Sequence, residues 1–219
     1  MNKCDTYLYS RTLHSFMTSQ LTSKVKKTLK ISNIIAKSQL VPPFSLSSLS
    51  AEFPFTPQPT LARIPISHNR TKFSIFKTGT VISRGSPSFL DLNASVQWLQ
   101  SLLRSFGLNL SDKYVVLNIV ASAQLFPFRL NLYPLAEFLP HSSYDPSPIS
   151  SYEFLVNAIT FYFSPESKPR RTALIFPTGK ATLTGFNSLS DLKKHARQLS
   201  SLLNQISHEH PEVVLNKNK

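Results

Sequence analysis

Two short strings each occur twice along this chain, in the same order. "NIIAKSQL" (Asn33 to Leu40) returns as "NIVASAQL" (Asn118 to Leu125), matching at N-I-(I/V)-A-x-x-Q-L. "IFKTGTVISRG" (Ile75 to Gly85) returns as "IFPTGKATLTG" (Ile175 to Gly185), matching at I-F-x-T-G-x5-G. The chain has 5 glycines, and all but Gly107 fall in this second pair of strings. Two ordered matches indicate an internal duplication, which constrains the fold more than any single motif does. The second copy holds about 15 more residues between its two strings than the first, and the Ser/Pro-rich runs "DPSPISSYE" and "FSPESKP" are natural places for them.

The copies share a grammar. An extended segment (Ser32–Ser38; Tyr114–Ala123) precedes a short segment of predicted helix (Ser45–Ala51; Leu132–Phe138) and a Pro-rich loop. Strands are predicted around Leu61–Ile66 and Phe154–Phe163, and the repeated string supplies a hairpin: Lys72–Phe76 with Thr80–Ser83, and Thr172–Phe176 with Lys180–Thr184. Thr78-Gly79 and Thr178-Gly179 sit where a tight hairpin needs a residue tolerant of positive φ. Gly85 and Gly185 stand where the returning chain must bend away.

A long helix ends each copy. From Asp91 to Phe106, the residues Leu92, Val96, Leu99, Leu102, Leu103 and Phe106 share one face, with Asp91 or Asn93 as N-cap and Gly107 as C-terminal stop. In the second copy Leu189, Leu192, Ala196, Leu199, Leu202 and Leu203 repeat at helical spacing, with Ser188 or Ser190 as cap. The predicted organisation is an arm over 1–30, repeats over 31–110 and 111–206, and a polar tail over 207–219. The first 30 residues carry six lysines and arginines against one acid, Asp5. They read as a basic arm, with a mitochondrial-type presequence as the alternative.

Charge narrows the partner. With 24 Lys+Arg against 11 Asp+Glu the net charge is +13, which favours a polyanion: nucleic acid or an anionic surface. A merely solvated basic surface is the competing reading. No run of about 18 apolar residues occurs, so no membrane-spanning helix is expected. The single cysteine, Cys4, cannot build an intramolecular disulfide or a cysteine-based zinc site. The histidines (His14, His68, His141, His195, His208, His210) form no Ser/His/Asp motif and no clear metal-ligand spacing, so neither an enzyme nor a cofactor is expected.

Strand alternation sorts the hairpin residues by face. Leu174 and Phe176 share a face with Lys180, Thr182 and Thr184; in the first copy that face carries Ser74, Phe76, Thr80, Ile82 and Arg84. One long helix per copy covers one side of its sheet and leaves the other open. An open face of Phe, Leu, Ile, Val, Thr and Asn with basic residues at its edge (Lys72, Arg171 and Lys180 being the phosphate candidates) fits a nucleic-acid groove. Cover by a loop or a dimer interface is the alternative.

At this point the residues resemble a known family. "NIVASAQLFPFRL", "LAEFLPHSSYDP" and "RRTALIFPTGKATLTG" are similar, in order and spacing, to signatures of the TATA-binding protein core, and the resemblance runs from Ile31 to about Ile206. It implies an α+β fold: two tandem pseudo-symmetric repeats forming a saddle, one curved antiparallel sheet with helices on the convex side. It implies a transcription initiation factor that binds and bends promoter DNA through the minor groove. Asn33 and Asn118 match the family's two base-contacting asparagines. Ile35 and Val120 match its apolar groove residues, with Ile82 and Thr182 as their partners on the return strands. Leu174 joins the groove set, Thr184 keeps the threonine before the closing glycine, and Arg84 replaces it in the first copy. Phe76, Phe154 and Phe176 match wedge phenylalanines that part base steps; in the first copy the fourth aligns with Leu61 or Pro59.

The implied partners are TATA-like duplex DNA, a transcription factor IIB-like protein met through Tyr144 and Asp145, and RNA polymerase-associated factors, in a nucleus if the source is eukaryotic. The departures support an alternative, a related factor with altered DNA preference that acts mainly as a protein-interaction scaffold. The family's phosphate-reaching strand arginines align with Pro65 and Thr160, and the first-copy helix "LDLNASVQWLQSLLRSF" keeps one base, Arg104.

Overall fold

A computed structural model describes residues 28–41, 63–111, 113–143, 157–166, 168 and 170–215. Among these are twelve strands and three α-helices, an α+β architecture as the sequence reading expects. The chain divides into two compact units. The first holds Ile31–Val120 and Phe186–Ser188; the second holds Met1–Lys30, Ala121–Gly185 and Leu189–Lys219. The division falls inside one strand, β6 (Val115–Gln124). Residues 1–27 of the arm expected over 1–30, the helix over Ser45–Ala51 and the candidate residues Leu61, Tyr144, Asp145 and Phe154 lie outside the described residues.

In the first unit four antiparallel strands run in the order β2 (Arg63–His68), β3 (Thr71–Phe76), β4 (Thr80–Ser86), β1 (Lys30–Val41), and β5 (Asn109–Leu110) pairs with the end of β1. The period-2 pattern is plain: Ile64, Ile66, Phe73, Ile75, Val81 and Leu40 turn to one side and are buried. Helix α1 (Phe89–Arg104) covers that side with Leu92, Leu99 and Leu103, all fully buried. Its period-3.6 stripe is the one read from the sequence, but its start lies earlier. Ser88, not Asp91 or Asn93, is the N-cap, and its Oγ accepts from the Asp91 N–H at 3.1 Å. Asp91 sits in the first turn, where its charge suits the helix dipole, and its side chain accepts from the Ser88 hydroxyl in return. At the other end Leu108 N–H reaches Leu103 O and Gly107 N–H reaches Arg104 O, with Gly107 at φ +72°. That is the left-handed glycine stop expected there.

The second unit repeats the plan. Strands β11 (Lys180–Phe186), β10 (Thr172–Ile175), β9 (Ile159–Tyr162) and β8 (Ser142–Ser143) follow in antiparallel order, and helix α3 (Leu189–Glu209) buries Leu192, Ala196, Leu199, Leu203 and Ile206. Ser200 on this stripe is also buried and donates to Leu125 O at 2.6 Å, tying α3 to the end of β6. Helix α2 (Leu132–Phe138) forms where the sequence places it.

The expected polar tail from residue 207 is corrected in part. Helix α3 runs on to Glu209, a 3-10 turn follows at Pro211–Val213, and β12 (Val214–Leu215) pairs with β7 (Arg129–Leu130). Apolar contact holds this end down: Val213 is fully buried, and the His210 ring stacks on Phe138 at 3.6 Å between centroids. The string "HEHPEVVL" looks polar, but Val213 is fully buried.

Candidate nucleic-acid interface

The duplication has a local structural meaning. In each unit the two repeated strings clamp one another. Gln39 donates its amide to Thr78 O at 2.9 Å, and Leu40 N–H donates to Gly79 O at 2.8 Å. In the second unit Gln124 donates to Thr178 O at 2.8 Å, and Leu125 N–H to Gly179 O at 3.0 Å. The Q-L of one motif thus satisfies the carbonyls of the T-G turn in the other, groups that a hairpin leaves unpaired. Gly79 and Gly179 hold φ of +78° and +74°, which a side chain would disfavour. The roles of Gln39 and Gln124 are missing from the sequence reading, although their matched recurrence was the available signal.

The closing glycines do more than end a strand. Between Ile34↔Ser86 and Ala36↔Ser83 the β1/β4 register shifts, so Arg84 and Gly85 together face Ile35 across a bulge. Gly85 has φ +94°, and a Cβ there would lie 2.4 Å from the Arg70 carbonyl oxygen. Gly185, at φ +88°, would place a Cβ 2.1 Å from the Arg170 carbonyl oxygen. The bulge frees the Gly85 N–H from the ladder, and Asn33 Oδ1 accepts it at 2.6 Å. Because an N–H only donates, the amide of Asn33 has one possible orientation: oxygen inward, Nδ2 left as the donor.

The ladders define the uncovered face of each sheet. In the first unit it carries Ile35, Lys37 and Gln39 on β1; Arg63, Pro65 and Ser67 on β2; Lys72, Ser74 and Phe76 on β3; and Thr80, Ile82 and Arg84 on β4. Asn33, Ile35, Phe76 and Ile82 are half-buried there, while Lys37, Arg63, Lys72 and Arg84 are exposed. In the second unit the corresponding face carries Thr160 and Tyr162, Thr172, Leu174 and Phe176, and Lys180, Thr182 and Thr184. Leu174 is directly opposite Thr182, and Thr172 opposite Thr184. Asn118 and Val120 are half-buried on β6. Ser74 with Ile82 and Leu174 with Thr182 share a face, as the sequence alternation predicts, and the ladder pairs them directly.

One predicted residue leaves the face. Arg171 precedes Thr172 and so turns to the helix side, where its guanidinium pairs with Asp191 of α3 at 2.9 Å. Asp191 also meets His195 Nδ1 at 3.1 Å. An arginine engaged in this way is a brace between strand and helix, and its expected phosphate contact is corrected. Two cations absent from the predicted set, Lys37 and Arg63, are on the open face instead. Lys37 is found simply by continuing the alternation from Asn33 and Ile35; Arg63 needed the register with Phe76.

No Asp or Glu occurs among the described residues from 28 to 90. Lys72 and Arg84 stand directly opposite each other, an arrangement that is destabilising by itself. Tyr114, whose hydroxyl donates to Asn93 Oδ1 at 2.7 Å, has its phenol raised above the ordinary value of 10.0 by burial. Among the described residues no cluster of three or more His, Cys, Asp or Glu is arranged to hold a metal ion.

Fold and face together define the class: an α+β protein with two sheet-and-helix units of similar plan, where, among the described residues, one side of each sheet is left open and carries no acid. The model of the family described as "Transcription factor TFIID (or TATA-binding protein, TBP)" matches residues 113–206. The TATA-box-binding protein of Archaeoglobus fulgidus is 27% identical over 183 residues, covering 80% of this chain and 94% of that protein. That of Pyrobaculum calidifontis is 40% identical over 98 residues, covering 45% and 44%. Methanococcus jannaschii TBP has the same fold, with a TM-score of 0.68 at 18% identity over 81% of this chain and 99% of the other. The chain is thus similar in sequence to TATA-box-binding proteins over most of its length, and similar in fold to Methanococcus jannaschii TBP.

Proposed function

We propose that this protein is a DNA-binding transcription initiation factor that seats the minor groove of A·T-rich duplex on its uncovered sheet faces and bends it, without catalysing a reaction. The orientation of Asn33 carries the reading. The minor groove of A·T pairs offers only acceptors, adenine N3 and thymine O2. An amide whose oxygen is held by Gly85 N–H presents a donor to them. Around it, Ile35 and Ile82 offer apolar contact suited to a groove poor in hydrogen-bonding code. Phe76 and Phe176, each three residues before a turn glycine, are placed at strand ends where a ring can enter a base step. Flexible TA steps cost least to open in this way.

The test is a gel shift with a fluorescence bending assay on TATA duplex, using the full chain. The parent binds and bends; the Phe76→Ala, Phe176→Ala double variant binds at least about tenfold more weakly and bends less, since unstacking by apolar wedges underlies the bend. A double variant that binds and bends like the parent removes the wedge mechanism. A parent that binds no duplex removes the function. Lys37 and Arg84 on the first face favour a second reading, a related factor with altered sequence preference, and selection from random duplex separates the two. A transcription factor IIB-like partner is part of the proposal, checked by direct pull-down on preformed DNA complex.

A further inference from the structure

The groove reading does not use the Ser/Pro-rich run "FSPESKP", which links β9 to β10 in the second unit. The chain has four Ser-Pro or Thr-Pro steps, at Thr56, Ser86, Ser147 and Ser164. Thr56 and Ser147 lie outside the described residues. Ser86 is fully buried, and its hydroxyl bonds that of Thr71 at 2.8 Å. Ser164 instead stands in a connecting loop, half-buried, and is followed by the exposed Pro165 and Glu166. A residue before proline is biased to extended backbone. A hydroxyl on extended chain with proline directly after it is the form that proline-directed protein kinases take.

The ladder places this serine. Phe163 N–H donates to Arg171 O at 3.1 Å, so the β9/β10 pairing runs one step past Tyr162↔Thr172. Both residues of that step turn to the helix side. The Phe163 ring meets His195 of α3 edge-on at 5.0 Å between centroids, and Arg171 pairs with Asp191. The next step sets Ser164 against Arg170, and alternation turns both to the open face, in line with Tyr162 and Thr172. Arg170 is exposed, as is Lys168 in the loop, and neither pairs with a carboxylate among the described residues. With Arg171 turned away, Arg170 is the arginine that this strand end offers to a duplex phosphate.

We propose, resting on the minor-groove reading above, that Ser164 is a phosphorylation site for a proline-directed protein kinase, and that its phosphate withdraws Arg170 from DNA. In the transfer, Ser164 Oγ bonds the γ-phosphorus of ATP and the bond from that phosphorus to the β-phosphate oxygen breaks. ADP leaves, and the hydroxyl proton passes to the base of the kinase. Phosphoserine carries a charge of about −1.5 to −2 and three strong acceptor oxygens. The guanidinium directly across the ladder is a planar donor suited to bidentate pairing with it. A captured Arg170 no longer serves the duplex, and the remaining negative charge repels the DNA backbone from this edge of the second unit.

The experiment treats the full chain carrying Thr56→Ala and Ser147→Ala with ATP and a purified proline-directed kinase, and locates phosphate by mass spectrometry. Phosphate at Ser164 is expected; none there overturns the site. Titration of TATA duplex at several salt concentrations then compares the chain before and after treatment. Phosphorylation is expected to weaken binding at least about tenfold and to lower the slope of log affinity against log salt by about 1, the share of one phosphate contact. Arg170→Ala lowers the slope by the same amount, and phosphorylating that variant lowers it no further. Adding Ser164→Ala keeps the affinity constant through kinase treatment; a loss there too overturns Ser164 as the switch. Unchanged binding by the phosphorylated chain, or a further fall in slope for phosphorylated Arg170→Ala, overturns the capture of Arg170 while leaving minor-groove binding intact. Failure of the untreated parent to bind any duplex overturns the minor-groove reading and the switch with it, whereas the site at Ser164 is still decided by mass spectrometry.

Discussion

The two units use one backbone plan with opposite surface chemistry. Each has the Gln–Leu clamp on its Thr-Gly turn, a glycine pressed against a carbonyl near the end of the return strand, and one long helix on the buried side. The first unit spends its exposed positions on Lys37, Arg63, Lys72 and Arg84; the second has Ser122, Ala158, Thr172 and Thr184. The difference teaches that backbone-defining residues are constrained by close contacts that tolerate nothing else, whereas open-face residues diverge freely with what lies on them.

That contrast can be broken at several levels. The largest effect is expected for charge removal. The chain with Arg63→Ala, Lys37→Ser, Lys72→Thr and Arg84→Thr loses about 3 to 4 from its salt slope, against about 1 for Lys180→Ala, by titration of duplex at several salt concentrations. Equal losses would erase the distinction between the faces. Next come the glycines. Gly185→Ala and Gly85→Ala each destabilise by about 3 kcal/mol or more, because positive φ adds to a clash with backbone oxygen that cannot move aside. Urea unfolding checks this, and similar costs for the pair support one shared backbone plan. Gln39→Ala and Gln124→Ala are each expected to cost about 1 kcal/mol, the net worth of one hydrogen bond with its acceptor left partly unmet. A cost at only one site would show that the clamps are not equivalent.

Ser88→Ala is expected to cost about 1 kcal/mol through loss of the cap, checked by urea unfolding. The smallest effect concerns Tyr114. Its phenol is raised in the folded state, so its contribution to stability is complete below the unfolded value near 10 and is lost as pH rises through the raised folded value. In alkaline unfolding curves, Tyr114→Phe therefore shows a shallower fall than the parent above pH 10.

Much of the fold was legible because its signals are local. The alternation in "TKFSIF" and "TALI", the helical stripe through Leu92, Leu99 and Leu103, and the Thr-Gly turns each lie within a few residues. The misreadings share a cause. The sequence places the N-cap of α1 three or five residues late, at Asp91 or Asn93, because these and Ser88 are all capable caps and only the hydrogen bond selects one. Residues 207–215 looked like a tail because their composition is polar, while the contact of His210 with Phe138 joins positions distant in sequence. Arg171 looked like a phosphate ligand until the direction of its side chain, set by where β10 begins, brought it to Asp191.

By itself the sequence showed the two pairs of matched strings, the hairpin and long helix that follow each Thr-Gly string, the basic balance and the residues that share each hairpin face. Periodicity and turn chemistry act over neighbouring positions, and a repeat is visible without coordinates. Only the tertiary structure decided which motif touches which: that Gln39 and Gln124 hold the turns, that Asn33 is locked as a donor by a bulge at Gly85, and that Lys37 and Arg63 join Lys72 and Arg84 on one face. Those facts depend on strand register between residues tens of positions apart, and register is set by packing of the whole sheet rather than by any local signal.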